Sequence, residues 1–304
     1  MNKSSASQDF PVAGLRVCAL LTTFNRRELT LACLQALERS ARVAGVTLSA
    51  VVVDDASRDG TAEAVGRAFP WARVIAGDGN LFWCRGMHRA FDAALRIGFD
   101  HYLWLNDDTS LTDGALAVLL DCANRLAPSR GKPVIVVGST ADPCTGEHTY
   151  GGEARPSRLR PLHVAPVLPR DEPQPCDSMT GNIVLVSAAV AARVGNLDPA
   201  FEHAMGDTDY ALRARRAGVE LWLAPGVLGD CCVNPSAGSF RDPTLPLAQR
   251  WRLMLDRKGL PWRSWLHLAR RHAGPLWPLH FAWPYVKLVA TSATSRRAAK
   301  AAGR

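Results

Sequence analysis

Apolar and polar positions alternate with two different periods along the first part of the chain. Residues 15–22 and 48–53 are short, β-branched runs typical of buried strands, whereas residues 28–41 place Leu31, Leu34 and Leu37 at helical spacing. The same alternation predicts strands at 73–75 and 102–105, helices at 61–68 and 87–97, and a glycine-bearing loop at 77–86. This β-α-β-α-β-loop-α-β order predicts a parallel sheet flanked by helices.

The pattern beyond residue 110 is less regular. Residues 142–175 are rich in Pro, Gly and Arg, which predicts an irregular excursion. Around it the apolar spacing predicts strands at 134–139, 181–186 and 219–223 and helices at 188–194, 209–217, 247–255 and 262–271. We therefore expect a flexible N-terminus (1–13), a catalytic domain (14–235, with a nucleotide-binding half 14–110 and an acceptor half 111–235) and a helical, basic, Trp-rich C-terminal extension (236–304).

Polar clusters follow three of the predicted strands, at residues 22–25, at Asp54-Asp55 and at 106–108. Ligands of such sheets bind beyond the carboxyl ends of the strands. Because three clusters share that location, the sequence predicts a ligand site at this edge.

The cluster Asn106-Asp107-Asp108 ends the fourth predicted strand. Mg²⁺ and Mn²⁺ prefer oxygen ligands and take only one or two carboxylates from protein when phosphate supplies the rest. The segment therefore fits a metal that bridges a diphosphate, and it equally fits an Asx-rich turn without a ligand.

Asp54 and Asp55 fit two interpretations. Acidic side chains at this edge accept hydrogen bonds from a ribose or a base, and Ser57 and Thr61 beside them suit a turn and a helix cap. Neither a P-loop nor a G-x-G-x-x-G sequence follows the first strand. A nucleotide bound here is therefore held by other means.

A further pair of carboxylates, Asp207 and Asp209, lies just before a predicted helix. One of them fits a general base that faces a cleft. Either also fits a residue that caps the helix and complements its dipole. The residues by themselves leave the two interpretations open.

Five segments in this order resemble the family 2 inverting glycosyltransferases of the GT-A fold. They read TTFNR at 22–26, VDDASRDGT at 53–61, GN…RG at 79–86, LNDDT at 105–109 and GDTDYALR at 206–213. The likeness spans roughly residues 14–230. Within the family, the segments 79–83, 206–207 and 258–261 are similar to bacterial rhamnosyltransferase-like members.

The resemblance implies a role for each matching residue. Residues implied to bind the nucleotide-sugar donor are Thr23, Asn25, Asp54, Asp55, Asn80, Arg85 and Asp107. Asp108 is implied as the principal ligand of Mg²⁺ or Mn²⁺, with Asn106 as a second ligand, and Asp207 as the catalytic base. Two positions depart from the family pattern: Asn106 replaces the first Asp of Asp-x-Asp, and Gly206 replaces the Glu of Glu-Asp.

The implied reaction is a single displacement. Asp207 would accept the proton of an acceptor hydroxyl that attacks the anomeric carbon, and Arg85 would pair with the phosphates. We expect a nucleoside diphosphate sugar as donor, rhamnose as its first candidate sugar, and a glycan or lipid-linked acceptor of cell-surface polysaccharide synthesis. The alternatives are a sugar-phosphate nucleotidyltransferase, which lacks support because no glycine-rich basic loop follows the first strand, and a non-catalytic nucleotide-sugar-binding protein.

Charge is distributed unevenly. Residues 241–304 carry 13 Lys and Arg against 2 Asp and Glu, whereas the rest of the chain carries 23 against 26. Together with five tryptophans between 251 and 283, this excess predicts either peripheral membrane association or packing of the extension on the domain. Lipid headgroups are the preferred anionic partner, and nucleic acid is not expected.

Hydropathy, the N-terminal residues and the cysteines indicate the cellular compartment. The mean hydropathy of −0.04 and the polar N-terminus argue against an integral membrane protein and a signal peptide. The eight cysteines are scattered and show no zinc-site spacing, so we expect reduced thiols. The predicted location is the cytoplasm, at the inner face of the cytoplasmic membrane if the extension binds lipid.

Overall fold

The computed structural model describes residues 14–233 and 235–302, and side chains up to residue 292. The predicted flexible segment 1–13 lies outside the described residues. Most of the described chain forms one α/β unit built on a central sheet, which confirms the predicted fold class.

The central sheet contains nine strands: β1 (Arg16–Thr23), β2 (Thr47–Asp54), β3 (Ala72–Ala76), β4 (His101–Leu105), β5 (Ser110–Leu111), β6 (Val134–Ala141), β9 (Gln174–Cys176), β11 (Ile183–Ser187) and β12 (Glu220–Asp230). The order is β3-β2-β1-β4-β11-β6-β12-β5, and β9 pairs with β12. Strands β1 to β4 are parallel, and β11 runs antiparallel between β4 and β6. Three short strands, β7 (Gly152–Ala154), β8 (Ala165–Pro166) and β10 (Ser178–Met179), form a second sheet within and after the predicted irregular excursion.

Successive residues of the central strands face opposite sides of the sheet, as the period of two requires. On β1, Cys18 and Leu20 belong to one apolar cluster, whereas Val17, Ala19 and Leu21 belong to the other. All five are fully buried, which explains why the strand reads as a continuous apolar run.

Helices cover both faces of the sheet. Those of the α/β unit are α1 (Arg27–Ala44), α2 (Thr61–Ala68), α3 (Phe82–Ile97), α4 (Ala115–Arg130), α5 (Ala188–Val194) and α6 (Gly206–Arg216). The sequence prediction was wrong on the start of α3, placed at residue 87, and on the start of α6, placed at residue 209, and it did not include α4. Consequently Arg85 lies on a helix rather than in a loop.

The C-terminal extension is helical, with α7 (Leu247–Leu255), α8 (Trp262–His272), a short 3-10 helix (Gly274–Leu276) and α9 (Trp277–Ala302). Trp265 and Leu268 of α8 are buried in the same apolar cluster as α3 and α6. No helix among residues 14–233 and 235–302 is long and apolar enough to cross a bilayer. Six of the eight cysteines are buried, and Cys144 and Cys232 are exposed.

A buried carboxylate joins the extension to the α/β unit. Asp209 on α6 is fully buried and accepts hydrogen bonds from Arg213 at 2.8 Å, from Arg271 at 2.9 Å and from His272 at 2.8 Å. Burial alone would raise the pKa of Asp209, but these hydrogen bonds lower it to about 2. Asp209 therefore acts as a structural link rather than as the helix cap considered from the sequence.

We predict that Asp209→Asn lowers the free energy of unfolding by about 3 kcal/mol, because two arginines lose a buried counter-charge. A depressed folded-state pKa contributes stability that is present above the unfolded value of about 3.9. In the wild type this contribution should disappear as the pH falls towards about 2. Urea unfolding measures both effects, with the exposed Asp121→Asn as control. Equal stability of the two variants would contradict the linking role.

Candidate functional site

The carboxyl ends of β1, β2 and β4 meet at one edge of the sheet, as the sequence predicts. Because β11 is antiparallel, its first residues reach this same edge, where the backbone carbonyl of Asn182 accepts the N–H of Asn106 at 3.2 Å. Positive φ angles occur at four non-glycine residues of the described chain: Asn25, Ala56, Phe82 and Met205. The first two follow β1 and β2, and the others begin α3 and precede α6. Strained backbone of this kind gathers at functional sites.

Asn25 and Asp54 fix the two loops that leave β1 and β2. The Asn25 N–H donates to Ser57 Oγ at 2.8 Å, and its side-chain carbonyl accepts the N–H of Arg58 at 2.7 Å. Asp54 is buried and accepts hydrogen bonds from the hydroxyl and the N–H of Ser57. The two predicted donor-binding residues are thus neighbours in space, each tied to the loop after β2.

Asp55 is engaged by three backbone groups. Its buried carboxylate accepts N–H bonds from Gly79 at 2.8 Å and from Leu81 and Phe82, both at 3.0 Å. Leu81 and Phe82 open α3, whose first N–H groups have no partner within the helix. Asp55 therefore shapes the loop after β3 and caps α3 from a distant strand end.

Three other residues implied to bind donor occupy different surroundings. The buried Thr23 hydroxyl is 2.8 Å from the Thr30 hydroxyl. The Asn80 side chain is exposed. The Arg85 Nε donates to the Pro199 carbonyl at 3.0 Å, and its guanidinium lies 3.6 Å from Glu202. Arg85 thus faces the segment before α6, and a phosphate contact would require it to leave these partners.

The Asn106 side chain is also engaged. Trp83 Nε1 donates to the Asn106 carboxamide oxygen at 2.7 Å. That oxygen is the ligand atom a metal would use, and one of its two lone pairs is engaged by Trp83, so the implied metal role of Asn106 remains a prediction.

Asp107 and Asp108 share one cation. A single nitrogen of Arg26, Nη1, lies 3.0 Å from Asp107 Oδ1 and 2.7 Å from Asp108 Oδ2. Asp107 is buried, and within the described part of the chain its Oδ2 accepts no close hydrogen bond, although the Thr23 hydroxyl lies near enough to lower the pKa of this carboxylate. Burial raises the pKa of Asp107 to about 6, against the opposing effect of Arg26. This pair of carboxylates therefore strongly favours a nearby positive charge.

These two residues fit a divalent metal. They offer carboxylate oxygens, and the buried Oδ2 of Asp107 has unused acceptor capacity. No group of three His, Cys, Asp or Glu side chains within residues 14–233 and 235–302 is arranged to hold a metal alone. Phosphate oxygens would have to complete the coordination, which is the usual habit of Mg²⁺.

Asp207 lies in the first turn of α6. Its Oδ2 accepts the N–H of Gly181 at 3.1 Å, and its Oδ1 accepts the N–H of Thr208 at 2.8 Å. Burial raises the pKa of Asp207 above the ordinary value, although these hydrogen bonds oppose it. Gly181 precedes β11 and packs against the Trp83 ring, so contacts through Gly181 and Trp83 join Asp207 to Asn106 at the same edge.

The close approach of α6 to α3 explains Gly206. A Cβ at this position would overlap the sulfur of Cys84 on α3. The glycine that departs from the family pattern is therefore required by packing, and it brings the first turn of α6, with Asp207, against α3.

Several residues at this edge were not identified from the sequence. Arg26 and Trp83 lie within the segments 22–26 and 79–83, but the resemblance assigned neither of them a role. Glu153 on β7 has its pKa raised to about 7 by burial and next by Asp207. From the extension, Arg257 lies 4.5 Å from the centre of the Phe82 ring and 2.8 Å from Glu202. Only the folded chain brings these side chains to one place.

Comparison with known proteins agrees with this architecture. Residues 18–150 match the family described as Glycosyl transferase family 2. An uncharacterized protein of Mycobacterium tuberculosis is 28% identical over 158 residues, 49% of this chain and 53% of that protein. The chain is also 26% identical, over 261 residues, to the N-acetylglucosaminyl-diphospho-decaprenol L-rhamnosyltransferase of Mycobacterium tuberculosis, a match that covers 78% of this chain and 79% of the relative.

The fold is similar to that of a solved glycosyltransferase. The crystal structure of GalNAc-T7 with UDP, GalNAc and Mn²⁺ superposes with a TM-score of 0.55 at 11% identity, over 77% of this chain and 45% of that chain. The chain thus spans about half the length of the uncharacterized relative and of GalNAc-T7. The match to residues 18–150 and the rhamnosyltransferase relative support a family 2 glycosyltransferase domain in this chain, and the similar fold agrees with the GT-A architecture.

Proposed function

We propose that the protein transfers a sugar from a nucleoside diphosphate donor to a hydroxyl of a glycan or lipid-linked acceptor, by a single inverting displacement. The observation that carries the proposal is the carboxylate pair Asp107 and Asp108 at the edge of the sheet, to which contacts through Gly181 and Trp83 connect Asp207. Two carboxylates there require a cation, and the third is held by backbone groups in the first turn of a helix. The family match and the rhamnosyltransferase relative support the same reaction, with rhamnose as the first sugar to test.

The donor would lie across the ends of β1, β2 and β4. We assign Asn25, Asp54 and Asp55 to the nucleoside side, where Asp55 acts by holding the 77–82 loop. Asp107 and Asp108 would hold Mg²⁺ or Mn²⁺, and the presence of Mn²⁺ with UDP in the GalNAc-T7 structure supports that choice. A bound metal of this kind neutralises the charge that develops on the departing nucleoside diphosphate.

Asp207 would act as the base. The N–H groups of Gly181 and Thr208 fix the orientation of its carboxylate. Burial raises its pKa, so its ionised form is a better proton acceptor than an ordinary aspartate. It would take the proton of the acceptor hydroxyl as that oxygen attacks the anomeric carbon.

We predict that Asp207→Asn lowers the rate of sugar transfer at least about 100-fold, because general base catalysis contributes on that order. Nucleotide binding should persist, since the hydrogen bonds of the donor loops do not involve Asp207. A panel of nucleotide sugars, with dTDP-rhamnose first, is assayed for transfer and for thermal stabilisation. The control is Asp121→Asn on the exposed face of α4. Unchanged transfer in Asp207→Asn would exclude the base role, whereas a wild type that binds a nucleotide sugar but transfers none would favour a non-catalytic nucleotide-sugar-binding protein.

We predict that EDTA abolishes transfer and that Mn²⁺ or Mg²⁺ restores it. Asp108→Asn should lower the metal-restored rate about 100-fold, because electrostatic stabilisation by a metal contributes several kcal/mol. Asp113→Asn, which removes an exposed carboxylate close in sequence, is the matched control. Transfer that resists chelation would contradict the metal role of Asp108.

The extension presents an apolar face that we assign to a lipid surface. Exposed and half-buried side chains of α7, α8 and α9 line an apolar groove of about 450 Å³, formed by Trp251, Leu255, Trp262, Phe281, Ala282, Tyr285 and Val286. Trp283 on α9 is also exposed, although it does not line this groove. Arg252 and Arg263 follow the groove residues Trp251 and Trp262 in the chain. Trp and Arg are side chains that suit the lipid headgroup layer. Trp265 packs inward, which supports packing of the extension on the domain. The exposed tryptophans support the interpretation of the extension as a membrane-binding segment.

We predict that the double variant Trp262→Ser with Trp283→Ser lowers binding to vesicles containing phosphatidylglycerol about tenfold, because both rings leave water in the bound state. Cosedimentation measures the binding, and vesicles of phosphatidylcholine alone test the dependence on negative charge. The control is Leu159→Ser with Leu168→Ser, which removes two exposed apolar side chains of the α/β unit. Equal sedimentation of both double variants would contradict the lipid-binding face.

A further inference from the structure

Arg26 occupies the position at which a metal would bind. It is the last residue before α1 and follows Asn25, whose φ of 51° turns the chain sharply at the end of β1. Its Nη1 contacts Asp107 Oδ1 and Asp108 Oδ2, one oxygen from each carboxylate, at 3.0 and 2.7 Å. Oxygens of the same two carboxylates would ligate a divalent cation.

A metal and the guanidinium would compete for these oxygens. Ligand oxygens of Mg²⁺ lie about 2.0–2.1 Å from the ion, so the metal would have to enter the space between the carboxylates and Nη1. Two cations in such contact repel each other strongly where burial lowers the effective dielectric. A metal held by Asp107 Oδ1 and Asp108 Oδ2 therefore requires Arg26 to move.

Of the groups in this ion pair, Arg26 can move towards solvent, whereas Asp107 cannot. The Arg26 side chain is 43% exposed and that of Asp108 is 32% exposed, whereas that of Asp107 is 8% exposed. Arg26 can turn towards solvent, but Asp107 stays buried and its Oδ2 accepts no close hydrogen bond within the described residues. Because an uncompensated buried carboxylate is costly, the departure of Arg26 is favourable only when another cation takes its place.

Within residues 14–233 and 235–302, the Arg26 guanidinium donates hydrogen bonds only through Nη1. The neighbouring Arg27 differs, since its side chain pairs with Glu28 and with the Asp59 carbonyl. Arg26 is therefore the arginine of this turn that faces the two carboxylates, and Arg27 provides a matched control.

We propose that Arg26 is an exchangeable counter-ion of the donor site. With the site empty, its guanidinium neutralises Asp107 and Asp108. When a divalent cation arrives with the nucleoside diphosphate, Arg26 gives up the carboxylates and pairs with the phosphates, which accept guanidinium in a bidentate manner. The inference rests on the proposed function for the identity of the donor, and it assigns Arg26 the task of coupling metal binding to nucleotide binding.

The test measures Mn²⁺ affinity, by electron paramagnetic resonance of the free ion, for the wild type, Arg26→Gln and Arg27→Gln. Without nucleotide, Arg26→Gln should bind Mn²⁺ about tenfold more tightly than the wild type, because no protein cation has to be displaced. UDP and dTDP should raise Mn²⁺ affinity in the wild type, and this enhancement should fall about tenfold in Arg26→Gln. Arg27→Gln should match the wild type in both measurements.

Mn²⁺ affinity in Arg26→Gln that equals or falls below that of the wild type would overturn the proposal, provided that circular dichroism shows a folded variant. Arg26→Lys serves if the Gln variant does not fold: lysine keeps the charge but cannot pair in a bidentate manner, so the enhancement by UDP or dTDP should still fall. An unchanged enhancement in Arg26→Lys would then overturn it. The measurement involves no sugar transfer, so failure of the glycosyltransferase proposal and failure of the exchange are separate outcomes.

Discussion

Burial of carboxylates at the carboxyl edge of the parallel sheet is the constraint on which this structure depends. Asp54, Asp55 and Asp107 lie where strands end, and all three are buried. A carboxylate in such a place must accept hydrogen bonds or face a cation. Asp55 organises the loop after β3 through backbone N–H groups, and Asp107 pairs with Arg26. Meeting these electrostatic requirements also brings together the parts of the donor site.

The same constraint acts on the extension. Asp209 lies two residues after Asp207 and links α6 to α8 through Arg271 and His272. The helix that carries the proposed base is thus held by the extension, and Arg257 from that extension lies over Phe82 at the start of α3. Changes in the extension should therefore reach the site through α6 and through Phe82, because rigid packing transmits displacement. The extension completes the α/β unit as well as presenting the exposed tryptophans.

In two motifs, the contacts of the folded chain differ from those that the motif comparison implies. Asn106 is engaged by Trp83, whereas Asp107, the middle residue of the motif, faces the shared cation together with Asp108. Gly206 is required by contact with Cys84, so the missing Glu at that position has a packing reason. A motif therefore identifies the segment of the chain in which a site lies. The hydrogen bonds of that segment determine which of its side chains are available to a ligand.

The sequence by itself determined the order of strands and helices to β4, the α/β class and the edge at which the polar clusters gather, because these follow from local periodicity and from the direction of parallel strands. The assignment of Asp107, Asp108 and Asp207 to one site came from the family resemblance and remains a prediction. Only the tertiary structure decided the partners of each side chain: Arg26 between two carboxylates, Trp83 on Asn106, and Asp209 against Arg271. These contacts join residues up to 82 positions apart and leave no local pattern, since they depend on how helices and loops pack after the sheet has formed.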